Sequence, residues 1–93
     1  MEKILSIPIN YLNREFYSLV RVFKFSQEHF EVRVTIIDEE IDSSLHGNHI
    51  FVVREGKLQV DLPSEARNLA KLKLEIANAL NKYFETHPLT KTA

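Results

Sequence analysis

Phe30-Glu31-Val32-Arg33-Val34-Thr35-Ile36-Ile37 decides how the rest of the chain is read. Phe30, Val32, Val34 and Ile36 alternate with Glu31, Arg33 and Thr35. A period of two places the four apolar side chains on one face of a half-buried strand. Working outward, Phe16 to Ser26 reads as a second strand of different character. Phe16, Val20 and Val22 share one face, while Tyr17, Leu19, Phe23 and Phe25 share the other. Apolar residues on both faces suit a central strand, or one whose outer face meets something further. Ile4 to Leu12 alternates again, with Leu5, Ile7, Ile9 and Tyr11 together. Pro8 lacks the N–H that a ladder needs, which puts this strand at a sheet edge. Asn13-Arg14-Glu15 reads as the turn between the first two strands.

Downstream, Asp38 to Asn48 breaks the alternation. Asp38 suits an N-cap, Glu39 and Glu40 a first turn, and Ile41 and Leu45 are spaced i,i+4 before Gly47. A short helix is the first reading and an irregular acidic loop the second. His49 to Arg54 and Lys57 to Leu62 flank Glu55-Gly56, a hairpin signal. In the second arm Leu58, Val60 and Leu62 point inward. Pro63-Ser64-Glu65 then opens a helix over 64–86, with Ser64 at the N-cap and Pro88 beyond its end. At ~100° per residue, Leu69, Leu72, Ile76, Leu80 and Tyr83 gather on one side, against Arg67, Lys71, Glu75, Asn78, Lys82 and Glu85 on the other. The expected fold is therefore α+β: about five antiparallel strands in a meander, with one long C-terminal helix on one face. Residues 1–86 form one domain and 87–93 a disordered tail in this reading.

The chain has 93 residues, which suffices for one core but not two. Twelve Lys and Arg stand against thirteen Asp and Glu, for a net charge of −1. That balance argues against nucleic acid as the partner, because phosphate neutralisation supplies much of such affinity. There is no cysteine, which excludes a disulfide framework and thiolate chemistry and fits a cytoplasmic location. The opening stretch, interrupted by Ser6, Pro8 and Asn10, does not read as a signal peptide. No run approaches the ~20 apolar residues of a membrane span, so no membrane partner is expected.

Chemistry-bearing patterns are sparse. His46-Gly47-Asn48-His49 follows Asp38, Glu39, Glu40 and Asp42, yet the spacing matches no established metal signature. Ser43 and Ser44 lie in no nucleophile elbow, and Gly47 and Gly56 are too far apart to cradle a phosphate. Lys73 falls inside the apolar arc of the helix, where a lysine snorkels to the margin of a sheet. No catalytic residue, cofactor or metal site is expected, and an enzymatic or small-ligand role ranks last.

What remains is surplus apolar surface. One helix covers one sheet face, whereas Tyr17, Leu19, Phe23, Phe51 and Val53 are candidates for an uncovered one. Ala70, Leu74 and Ala77 make a second candidate flank on the helix. The leading expectation is a non-catalytic interaction module, a homodimer or a domain with a protein partner. The alternative starts from Arg21, Lys24, Arg33 and Arg54 set among Tyr17, Phe23 and Phe51. Strands followed by one long helix resemble the order in Pur-type and Whirly-type nucleic-acid-binding domains, a resemblance of topology alone, which does not imply function; nucleic-acid binding stands as the second function class.

Overall fold

Sheet pairing follows chain order. The structure, a computed structural model, describes residues 2–62 and 66–87. Strands β1 (Glu2–Tyr11), β2 (Arg14–Lys24), β3 (His29–Ile36), β4 (Ile50–Arg54) and β5 (Lys57–Gln59) form one antiparallel sheet in the order β1-β2-β3-β4-β5. A one-turn helix, α1 (Glu39–Ser43), joins β3 to β4, and the long helix α2 (Arg67–Thr86) follows β5. The expected α+β meander with a C-terminal helix is the observed fold.

Period-two alternation sets the inner face. Ile7 and Ile9, Phe16, Val20 and Val22, Phe30, Val32, Val34 and Ile36, and Phe51 and Val53 all lie buried in one core. Leu72, Ile76 and Leu80 of α2 meet them, with Leu69 and Tyr83 partly buried beside them. The sheet curls around the helix, and α2 packs most closely on β1. Arg67, Lys71, Asn78, Lys82 and Glu85 are exposed, as the helical phase requires. Pro8 sits on β1, which is indeed an edge strand.

Several local expectations change. The β1–β2 turn is Leu12-Asn13, both left-handed at φ 55° and 58°, while Arg14 and Glu15 already belong to β2. This is the geometry of a two-residue hairpin whose twist matches the strands. The second arm of the last hairpin stops at Gln59, and Leu62 is exposed, so the strand is three residues long instead of six. Helix α2 starts at Arg67 with Ala66 in the N-cap position and no side-chain cap, while Ser64 lies outside the described residues. At the other end His87 is a C-cap residue, its ring stacked on Tyr83 at 4.3 Å, and residues 88–93 lie outside the described part.

Between β3 and β4 the helical reading holds, in a shorter form. Asp38 caps α1 by accepting from the Ile41 N–H at 3.1 Å. Leu45, past the end of α1, is buried in the core, and Gly47 takes φ 85° as the chain turns back. Leu45 thereby anchors this segment to the inner face of the sheet. It does not fold over the outer one.

Candidate functional site: the open face of the sheet

Residues that alternate with the core set define the other face. Cross-strand pairing arranges them in rows: Ile4, Arg21, Arg33 and Ile50 in one; Phe23, Glu31, Val52 and Gln59 in the next; His29, Arg54 and Lys57 beyond it. On the opposite side lie Leu19 with Thr35, then Pro8 with Tyr17. Along β2 and the residue just past its end, Tyr17, Leu19, Arg21, Phe23 and Phe25 form a stripe ~27 Å long. Tyr17 and Phe25 at its ends are 56% and 59% exposed. Ile4, Ile37 and Ile50 are also large exposed apolar residues. Neither helix covers this face.

The residues expected at an interface divide accordingly. Tyr17, Leu19 and Phe23 lie on the open face. Phe51 and Val53 do not: both are core residues, Phe51 opposite Val32 and Val53 opposite Phe30. Their neighbours Ile50 and Val52 take the outer positions. β4 is apolar on both sides, so its own alternation is silent, but the hairpin speaks: a two-residue turn pairs Val53 with Leu58, and Leu58 reads as inward. On the helix, Ala77 is buried, Ala70 half-buried, and Leu74 stands exposed at 45%. That flank reduces to one exposed leucine, which is ordinary on a protein surface.

Electrostatically the open face is distinctive. Arg21 stands directly opposite Arg33, and Arg54 directly opposite Lys57. Arg33 donates through Nε to Glu31 at 2.9 Å, and its guanidinium lies 4.6 Å from the Phe23 ring centroid. Among the described residues Arg21, Arg54 and Lys57 make no ion pair. Lys24, by contrast, pairs with Phe30 in the register of the inner face and is exposed at the sheet margin.

Other candidate sites take structural roles. Asp42 Oδ1 accepts the Ile36 N–H at 2.9 Å and lies 3.1 Å from His49 Nε2, fastening α1 to the sheet. His46 has a positive φ and is exposed, on a different heading from His49. No group of three metal-ligating side chains converges among the described residues. Ser44 Oγ donates to the Ile41 carbonyl at 2.6 Å. Lys73 is only 6% exposed; its Nζ reaches the Asp61 carbonyl and stands 6.0 Å from the Phe51 ring centroid, a lysine threading past the core to the sheet margin. A groove of about 510 Å³ between β1 and α2 is lined by Pro8, Asn10, Glu75, Asn78, Lys82 and Tyr83. Sequence reading passed over Ser18, a buried polar residue whose Oγ donates to the Ile7 carbonyl at 2.7 Å; its parity with Phe16 and Val20 marks it as inward.

The chain matches no protein-family model, and no curated protein or solved structure matches it. No helix of the described residues is long and apolar enough to cross a membrane.

Proposed function

We propose that this protein is a non-catalytic interaction module whose working surface is the open face of the sheet. One observation carries the reading: Tyr17, Leu19 and Phe23 on β2 and Ile50 and Val52 on β4 occupy the outer face of the sheet, on either side of Glu31, Arg33 and Thr35 of β3, with neither helix above them. Large apolar side chains left uncovered on one face, interleaved with charge, support a place where something else binds. The face of a five-stranded sheet can supply the ~800 Å² per partner of an ordinary interface. A cytoplasmic location belongs to the same proposal and agrees with the cysteine-free sequence.

Light scattering at two protein concentrations tests it. At millimolar concentration the apolar face meets its own copy, so the mean mass rises weakly. Salt strengthens this association by screening the arginines that two such faces would bring together. Ile50→Asp abolishes the rise, whereas Leu74→Lys on the helix leaves it intact. A strictly monomeric wild type at all salt concentrations, with shifts of open-face amides independent of concentration, overturns the reading.

A further inference from the structure

We propose that the outer edge of β1 binds an extended peptide segment of another protein, which adds to the sheet as a further strand and lays alternate side chains between β1 and α2. This surface is separate from the open face and goes beyond the function proposed for it.

Two hydrogen bonds fix which way the backbone of β1 points. The Tyr17 carbonyl accepts from the Ile37 N–H at 2.8 Å, so Tyr17 turns its backbone groups toward β3. In an antiparallel ladder a residue sends its N–H and C=O to the same side, and successive residues alternate. Pro8, the partner of Tyr17, therefore points away from β2. Ile7 points the other way, and its carbonyl accordingly accepts from Ser18 Oγ at 2.7 Å. Ile4, Ser6 and Asn10 share the parity of Pro8, so their backbone donors and acceptors line the outer edge. Among the described residues no hydrogen bond reaches these groups.

A long unpaired edge is a template for another strand. β1 has ten residues, whereas β5, at the opposite edge, has three. Pro8 removes one outward donor and costs the ladder to β2 nothing. Backbone groups that repeat every two residues, ~6.8 Å, match another extended backbone and neither a helix nor a small ligand.

Beside this edge runs the groove of about 510 Å³ between β1 and α2. Ile7, Ala79 and Tyr83 supply its apolar surface, and Glu15, Glu75 and Lys82 its charges. Tyr11 Oη donates to the Asn68 carbonyl near the start of α2, while Tyr83 near its end shares the groove with Ile7, so helix and strand run antiparallel. Glu75 thus lies toward Asn10, whose cross-strand partner is Glu15, and Lys82 lies toward the start of β1. An antiparallel guest meets the two glutamates with its amino end and Lys82 with its carboxyl end. Residues opposite each other on paired strands share a face. The guest therefore carries apolar residues opposite Ile9 and Ile7, a basic residue before them and an acidic one after. The β1 strand of a second copy does not fit. Its inward side chains, Ile7 and Ile9, are 2% and 1% exposed in their own core and are not free to enter the groove.

The probe is the peptide acetyl-Lys-Thr-Val-Thr-Val-Thr-Glu-amide, titrated into the isotope-labelled full chain and followed by NMR. A dissociation constant on the order of 100 μM is expected, because a free peptide loses its chain freedom on pairing. The amides of Ser6 and Asn10 exchange rapidly in the free protein and slow several-fold in the complex, whereas those of Ile7 and Ile9 are slow throughout. N-methylation of the last Thr, whose N–H meets the Ser6 carbonyl, weakens binding about tenfold. N-methylation of the second Val, whose N–H points away from β1, changes it by less than about twofold. Ser6→Pro melts like the wild type, by the parity that admits Pro8, and weakens binding about tenfold. Glu75→Lys stays folded and weakens binding several-fold, most at low salt. No binding, shifts confined to the open face, or equal effects of the two N-methylations each overturns the proposal. So does protection of the Ser6 and Asn10 amides in the free chain equal to that of Ile7. Self-association lost in Ser6→Pro, without peptide binding, overturns the choice of occupant. Ile50→Asp, on the open face, leaves peptide binding unchanged, and a loss there would merge the two surfaces and overturn the proposal.

Discussion

His49 Nε2 and Asp42 Oδ1 lie 3.1 Å apart, and the same carboxylate oxygen accepts the Ile36 N–H. One side chain from the short helix α1 thus closes the end of β3 and the entry to β4 together. Asp42→Ala strands a partly buried donor, and the expected loss is about 1–2 kcal/mol by urea unfolding. Asp42→Asn keeps an oxygen acceptor and costs less. Equal losses for the two would mean that the Ile36 contact contributes nothing.

The helix phase gives a sharper contrast. Leu72→Asp and Ile76→Asp each bury a carboxylate without a partner and unfold or severely destabilise the domain. Lys82→Asp, on the exposed side, stays within about 1 kcal/mol of the wild type. Thermal melts of the three variants check this, and matching midpoints would contradict the packing described.

Lys73 contributes chiefly through its aliphatic stem. Lys73→Met keeps that stem beside Phe51 and removes one amine–carbonyl contact, so stability changes by less than about 1 kcal/mol. Lys73→Ala removes the packing and lowers stability more. The reverse ranking in chemical denaturation would assign the amine the larger role.

Leucine at φ 55° is a poor choice for the first position of a two-residue hairpin. Leu12→Asn tolerates the left-handed conformation and is expected to raise stability by up to about 1 kcal/mol. A lowered denaturation midpoint would show that Leu12 makes contacts that outweigh its backbone strain.

Titration calorimetry with zinc, nickel or manganese at micromolar concentration is expected to show no stoichiometric site. A one-to-one isotherm lost on His46→Ala or His49→Ala would reverse that.

Much of this fold was legible because each inner strand position announces itself by alternation. Phe30 to Ile36 needs no context, and the helix separates Leu72, Ile76 and Leu80 from Lys71 and Lys82 by angle alone. β4 was not legible in isolation, since Ile50, Phe51, Val52 and Val53 are apolar without a break; only its pairing with Leu58 fixes the face. The start of α2 was misplaced because Ser64 and Glu65 supply a good capping sequence, yet the helix begins at Arg67 behind an uncapped Ala66. The like-charge pairs of the open face, Arg21 with Arg33 and Arg54 with Lys57, were hidden for a different reason. Which arginine stands opposite which residue is set by register, and register needs the turns.

Strand order has a kinetic consequence. Every strand of this sheet pairs with its neighbour in the chain, so the hairpins can assemble by closing short loops one after another. The docking of α2 on β1 is the contact that joins opposite ends of the sequence, and it carries the largest loop-closure entropy. Substitutions in the β2–β3 hairpin are therefore expected to slow folding, whereas Leu80→Ala mainly accelerates unfolding, with a folding limb close to that of the wild type. The helix that completes the core is, on this reading, the last element to arrive and the first to leave.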